Sequence, residues 1–250
     1  MKPKVLILSG HGINCENETA FAFTQAGAQS EIVHVNDLIA GGKKLNDFQI
    51  LVFPGGFSFG DHLGAGKALA TRIAGSLQEQ LARFVQSDKL VLGICNGFQV
   101  MANLGIFDNF QKRFALVANA KPRYLCTWVD LQLPPSRCVF TKGLKRIALP
   151  IAHGEGNFFA REDFLDTLES TDRIACKYLQ NPNGSARDIA GICDQSGRVF
   201  GLMPHPERAL FFHNRPDFFQ KKEELQRSGK PVPQLTDSAK IFENAVRYFL

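Results

Sequence analysis

Leu90-Val91-Leu92-Gly93-Ile94-Cys95-Asn96-Gly97-Phe98-Gln99-Val100-Met101 is a nearly unbroken apolar run that changes character in its middle. Leu90–Ile94 is short, continuous and β-branched enough for a strand buried on both faces, whereas 96–104 has helical spacing and ends at Gly105. A strand that turns into a helix at Gly-x-Cys-x-Gly is the context of a nucleophile elbow, with sulfur in place of oxygen. The turn thrusts Cys95 out at the carboxyl end of the sheet. Its neighbours two residues away must lack a Cβ for strand and helix to pack closely. The helix N-terminus favours thiolate over thiol, and the Asn96 N–H points to where an oxyanion would develop. A buried cysteine in a glycine-rich turn is the plainer alternative, but glycine on both sides favours the nucleophile.

Upstream, the same strand-then-helix alternation recurs. Val5–Leu8, Glu31–Val35 and Ile50–Phe53 read as strands. Asn17 is placed to cap a helix through Ala26, closed by Gly27, and residues 66–87 read as helix with a break near Gly75-Ser76. Alternation of this kind predicts a parallel sheet covered on both faces. Downstream the pattern changes. Residues 123–133, 146–151 and 173–179 look extended, 162–170 helical, and 188–193 with 198–203 flank Asp194-Gln195-Ser196-Gly197 as a hairpin. The expected fold is therefore α/β, with a mainly parallel central sheet and an antiparallel extension. Residues 211–233 read as irregular or partly helical, and 237–250 as a closing helix with Ile241, Val246 and Phe249 facing inward. With no internal repeat and no Pro-, Gly- or Ser-rich linker, residues 1–250 read as one domain with a C-terminal extension from about 211.

Composition bounds the function. The 250 residues are 44% hydrophobic and 21% charged, which excludes general disorder. A formal charge of +5 is modest, and its densest group (Lys221, Lys222, Arg227, Lys230) is interleaved with Glu223 and Glu224. That is a solvated helix face, so no nucleic-acid partner is expected. No stretch approaches the roughly 18 apolar residues of a membrane span, and Val5–Leu8 is too short for a secretory leader. The expectation is a cytoplasmic protein, away from membranes, whose six cysteines are reduced. Phenylalanine is oddly abundant, 22 residues against 3 Tyr and 1 Trp. Phe57, Phe59, Phe98, Phe158 and Phe159 fall in segments expected around the site, as walls that exclude water, while Phe211, Phe212, Phe218 and Phe219 are expected to bury against the domain.

A thiol nucleophile needs a base. His205 lies in Met203-Pro204-His205-Pro206-Glu207, directly after an expected strand, where extended chain would set Glu207 and His205 on one side. A third segment, Phe53-Pro54-Gly55-Gly56-Phe57-Ser58-Phe59-Gly60-Asp61, also follows a strand, so its loop emerges at the edge that carries Cys95. Its paired glycines allow a backbone N–H to complete an oxyanion hole. Gly64-Ala65-Gly66-Lys67-Ala68 suggests a phosphate loop, but Asp61 stands where the first glycine belongs and Ala68 replaces the magnesium-binding hydroxyl. An ATP site there is rejected.

Extended to Gln99, the elbow resembles that of the class I, triad-type glutamine amidotransferases. The resemblance is supported by Asn14-Cys15-Glu16, Pro54–Ser58 with Gly60-Asp61, Pro150-Ile151-Ala152-His153-Gly154-Glu155-Gly156-Asn157, Asn181–Ser185 and Met203–Arg208. These matches are most similar to the glutaminase subunits of purine biosynthesis. The resemblance implies a flavodoxin-like three-layer fold. It also implies that Cys95 attacks the side-chain amide of L-glutamine, with His205 as base and Glu207 as its orienter. Gly56 and Asn96 N–H groups would form the oxyanion hole, and Gly55, Gln99, His153 and Gly154 would border the substrate, with His153 equally readable as structural. No metal or cofactor is implied on this chain. ATP and Mg²⁺ would belong to a large partner synthetase that converts formylglycinamide ribonucleotide to formylglycinamidine ribonucleotide, with a small third subunit. The chain departs from the family pattern in its first loop (Ser9–Ile13), at Gly64 where many members carry Arg, and in its longer 211–232 segment. Competing expectations are an amidotransferase serving another synthase, or a cysteine hydrolase of the intracellular peptidase type, in which His often follows the elbow cysteine. Here Asn96 occupies that place.

Overall fold

The computed structural model describes residues 2–250. In chain order its main elements are β1 (Lys4–Ser9), α1 (Glu16–Gln25), β2 (Gln29–His34), α2 (Val35–Ile39), β3 (Ile50–Phe53), α3 (Lys67–Gln86), β4 (Leu90–Ile94) and α4 (Asn96–Leu104). There follow β5 (Phe114–Ala118), β6 (Leu125–Gln132), β7 (Arg146–His153), β8 (Glu155–Ala160), α5 (Glu162–Ser170), β9 (Ile174–Tyr178), β10 (Ile189–Cys193), β11 (Val199–Leu202), α6 (Phe218–Arg227) and α7 (Ala239–Arg247). Nine strands form one sheet in the order β2-β1-β3-β4-β11-β10-β9-β6-β7, and β5 and β8 form a separate pair.

The centre of that sheet is apolar on both faces. Every residue of β3, β4, β10 and β11 is buried. That is why these strands read as continuous hydrophobic runs rather than alternating ones. β2, β1, β3, β4 and β11 pair in parallel, so β1, β3, β4 and β11 all discharge their following loops at one edge. From β11 outward the pairing is antiparallel. The β6–β7 hairpin joins the sheet through the far end of β6 and curls back, so that the Pro150 carbonyl of β7 accepts the His205 N–H at 2.8 Å.

Several boundaries differ from the sequence reading, each for a tertiary reason. α1 starts at Glu16 with Cys15 at the cap, not at Asn17, because the N–H groups of Asn14 and Cys15 both donate to the Gly55 carbonyl and fix the chain before the helix. α3 runs unbroken through Gly75. A lone glycine costs about 1 kcal/mol in a helix, and the buried face of Leu69, Ile73, Leu77, Leu81 and Phe84 outweighs that. Glu155–Ala160, expected as loop, is strand β8 and pairs with β5, also unanticipated. Among the phenylalanines, Phe98 and Phe158 lie in the core with Phe107 and Phe114 rather than lining a site. Phe159 and Phe219 are exposed, and no residue of α6 is buried. The 211–235 excursion is closed at its base by Phe212 N–H to Gln234 O and Thr236 N–H to Leu210 O. The basic cluster is a solvated face, with Lys221 paired to Glu224 and Arg227 to Glu223, both at 2.8 Å.

Close packing at the elbow sets a testable contrast between two glycines. A Cβ at Gly97 would stand 1.8 Å from the Phe53 carbonyl oxygen, whereas one at exposed Gly75 meets nothing within 4 Å. Gly97→Ala is therefore expected to lose about 3 kcal/mol in chemical denaturation, and Gly75→Ala to gain about 1 kcal/mol. Equal effects would contradict this packing.

Candidate active site

Four parallel strands place four loops side by side. Cys95 follows β4, Gly55-Gly56 follows β3, the 10–15 loop follows β1, and His205 follows β11. The Cys95 backbone is left-handed, with φ 51° and ψ −108°, a costly conformation for a non-glycine residue. It is held by its N–H bonding to Leu202 O at 2.8 Å and its carbonyl accepting from Gln99 N–H at 3.1 Å. The side chain is buried, and Sγ–H donates to the Ala152 carbonyl at 3.6 Å.

His205 and Glu207 are also buried, with Nδ1 2.6 Å from Glu207 Oε1. Glu207 reaches back from the Pro206–Ala209 turn of 3₁₀ helix, not from the extended chain the sequence suggested; Pro206 starts that turn. Burial alone would depress the His205 pKa. The Glu207 carboxylate, then Cys95, with side-chain bonds from Cys15 and Cys95, instead hold it well above the ordinary imidazole value. Nε2 is buried without a partner among the described residues, which leaves it free to meet the thiol. Cys15, His205 and Glu207 offer ligand atoms within 4.8 Å of one another, the one metal-compatible set found among the described residues. Its donors are already engaged: Arg208 Nη2 lies 2.8 Å from Cys15 Sγ, and Glu207 holds His205.

The expected oxyanion donors flank this pair. Gly56 has φ +151°, and a Cβ there would strike Gly12 O at 2.6 Å and Ile13 Cα at 2.7 Å. Asn96 opens α4, so its N–H has no intrahelical acceptor. Its side chain ties the two loops together. Asn96 Oδ1 accepts from Ser58 N–H at 3.1 Å, and Nδ2 donates to Asp61 Oδ1 at 3.1 Å and Gln99 Oε1 at 2.9 Å. Gln99 is buried and donates onward to the Glu155 carbonyl. The rejected phosphate loop has a physical account as well. Ala65 N–H is taken by Glu155 and Gly66 N–H by Asp61, so carboxylates occupy the donors an anion would need. Burial, first, raises the Asp61 pKa, against bonds from Gly66 and Asn96.

His153 ends β7, buried, with Nδ1 3.1 Å from Asn119 Oδ1. Burial and then His205 push its pKa down to about 4, so it is neutral at pH 7. Asn119 also donates to the His153 carbonyl at 3.0 Å and accepts from Gly156 N–H at 3.2 Å. Gly154 is the bend between β7 and β8, near the half-exposed Tyr124, whose ring lies 6.0 Å from that of Phe57 at the mouth. Asn183 Nδ2 and Ser185 Oγ both donate to the Gly156 carbonyl, at 2.7 and 3.3 Å, and brace the same bend. Asn119, Tyr124 and the Cys15–Arg208 contact escaped the sequence reading. Arg208 carried a signal as the residue after the His-Pro-Glu run, and Cys15 as the middle of Asn14-Cys15-Glu16, but nothing in the sequence joined them.

Comparison with known proteins shows the family. Residues 2–249 match the CobB/CobQ-like glutamine amidotransferase domain. The phosphoribosylformylglycinamidine synthase subunit PurQ of Methanococcus maripaludis is 49% identical over 265 residues, covering 99% of this chain and 97% of the relative. The subunit of the same name from Dehalococcoides mccartyi is 43% identical and covers 99% and 98%. A chain in the structure of PurLQS from Thermotoga maritima superposes with a TM-score of 0.76 at 30% identity over 100% of both chains.

Neutral burial of His153 has a pH signature. Its folded pKa, about 4, lies below the unfolded value, so the unfolded chain binds the extra proton and stability falls as pH drops from about 6.5 to 4. Wild type is expected to lose roughly 3 kcal/mol more than His153→Gln over that range in urea unfolding. Parallel pH profiles would refute the assignment.

Proposed function

The chain belongs to the CobB/CobQ-like glutamine amidotransferase family, with the phosphoribosylformylglycinamidine synthase subunits as its relatives, and from that membership we propose how its residues work. It is a glutaminase, the amidotransferase subunit that supplies nitrogen to phosphoribosylformylglycinamidine synthase in purine biosynthesis. The observation that carries the residue assignment is Cys95 in strained backbone beside the buried His205–Glu207 pair.

Cys95 Sγ attacks the side-chain amide carbon of L-glutamine. The developing oxyanion is met by the N–H groups of Gly56 and Asn96, with no reorganisation at the moment of reaction. His205 holds the thiol proton and delivers it to the departing nitrogen as the C–N bond breaks, releasing ammonia and leaving a glutamyl thioester. Water, deprotonated by His205, hydrolyses that thioester to glutamate. Glu207 keeps Nδ1 protonated and Nε2 directed at sulfur. Gln99 and Gly55 border the substrate side chain, and His153 with Gly154 shapes the opposite wall as a neutral, structural element.

Free ammonia in water at neutral pH is mostly ammonium, which is not nucleophilic. The chain therefore works docked on a synthetase subunit that carries ATP, Mg²⁺ and the formylglycinamide ribonucleotide acceptor, with a small third subunit completing the complex. Residues 1–250 act as one glutaminase domain without a cofactor of their own. No helix among the described residues is long and apolar enough to cross a membrane, which suits work in the cytoplasm. The intracellular peptidase reading is not favoured, since Asn96 follows the nucleophile.

Incubated with glutamine and its synthetase partner, the purified chain is expected to form glutamate, and Cys95→Ala to reduce that yield to background. Undiminished glutamate from the Cys95→Ala complex would remove Cys95 from the mechanism.

A further inference from the structure

Arg208 follows Glu207 directly and does not take its carboxylate. Its Nε stands 3.8 Å from Glu207 Oε1, while Nη2 donates to Cys15 Sγ at 2.8 Å. An arginine beside a carboxylate prefers a two-pronged contact with both oxygens. Here Oε1 serves His205, and Oε2 is buried without a partner among the described residues. Among the described residues, the acceptor that competes for the guanidinium is the Cys15 sulfur.

That sulfur is fixed on all sides. Cys15 is fully buried, its N–H donates to Gly55 O at 3.3 Å, and its carbonyl accepts from the Thr19 N–H at 3.1 Å and hydroxyl at 2.6 Å. Its thiol donates to Asn14 Oδ1 at 3.2 Å, which leaves sulfur lone pairs for Arg208. A Cβ on Gly55 would lie 2.7 Å from His205 Cε1 and 3.2 Å from Cys15 Sγ, so imidazole and sulfur pack across that glycine.

We propose that Cys15 is a positioning residue that holds Arg208 off Glu207, reserving the carboxylate for His205. This rests on the reading of His205 as the base and Glu207 as its orienter. Without the sulfur acceptor, the guanidinium closes on Glu207 and draws its negative charge away from the imidazole. His205 then binds its proton less tightly. The groups facing His205 are Glu207 and Arg208 from its own segment, Cys95 from the elbow, Cys15 from the loop after β1, His153 from β7, and Tyr124 ahead of β6. Loss of the Cys15 side chain frees its contact to Arg208 and also its own bond to His205, and only the first of these is relieved when Arg208→Met is added.

The test is glutaminase activity of the assembled complex against pH for Cys15→Ala, Cys15→Ser, Cys15→Ala with Arg208→Met, and Glu207→Gln. Cys15→Ala is expected to lower kcat about tenfold with little change in KM. The alkaline limb of its kcat/KM profile should move down by about one pH unit, because the imidazolium is lost earlier. Cys15→Ser, which keeps an acceptor for Arg208, should retain most activity. Adding Arg208→Met to Cys15→Ala should restore most of what was lost, since it removes the competitor. An unmoved alkaline limb in Cys15→Ala overturns the proposal. So does a loss that Arg208→Met does not relieve while thermal unfolding stays at the wild-type temperature. Glu207→Gln separates the two readings: if it leaves activity intact, the triad assignment itself fails, whatever Cys15 does.

Discussion

The hydrogen bond from Cys95 N–H to the Leu202 carbonyl, at 2.8 Å, joins the two halves of the site. It extends the β4–β11 ladder by one rung, at the point where β4 breaks into the elbow. Cys95 hangs from one side of that rung, and His205 follows three residues after the other. The proposed nucleophile and base are thus spaced by sheet geometry rather than by loop conformation, which is the more rigid arrangement. A left-handed cysteine costs on the order of 1–3 kcal/mol and persists only where its surroundings over-determine it. Here the ladder rung, the Gln99 N–H and the glycine-lined contact with Phe53 do so.

Electrostatics follows from that placement. Burial pulls the two histidines in one direction, and their partners decide the outcome. His205 faces a carboxylate that raises its pKa, whereas burial and then His205 push the pKa of His153, beside the neutral amide of Asn119, down to about 4. Two buried imidazoles in one site are therefore shifted in opposite directions. The Gly55–Asp61 loop is tied to the elbow by the Asn96 amide, which accepts from Ser58 N–H and donates to Asp61 and Gln99, and this keeps the expected donors in register.

What could be read in the sequence divides along the same physical line. β3, β4, α4 and α5 were legible to the residue, since continuous burial or a clean helical stripe fixes them locally. The elbow was legible because close packing demands its glycines. β5 and β8 were not, because they pair only with each other and depend on Phe114 stacking on Phe158, 44 residues away. The Glu207 reach-back was anticipated in outcome but not in form, since the turn of Pro206–Ala209 does what extended chain was expected to do. The role of His153 hangs on Asn119, 34 residues distant, and the Cys15–Arg208 contact spans 193. No local pattern encodes such pairs. The phenylalanine surplus is mostly core, with Phe57 alone of the five expected wall residues standing at the mouth beside Tyr124.

The central claim is covalent: a glutamyl group passes through the sulfur of Cys95. Rapid acid quenching of the synthetase-bound chain during turnover of isotope-labelled glutamine, followed by peptide mass mapping, reads it directly. The account predicts a labelled glutamyl adduct on the peptide that contains Cys95 and on no peptide containing Cys15, Cys126, Cys138, Cys176 or Cys193. Label on any of those other cysteines, or turnover with none on Cys95, would contradict it.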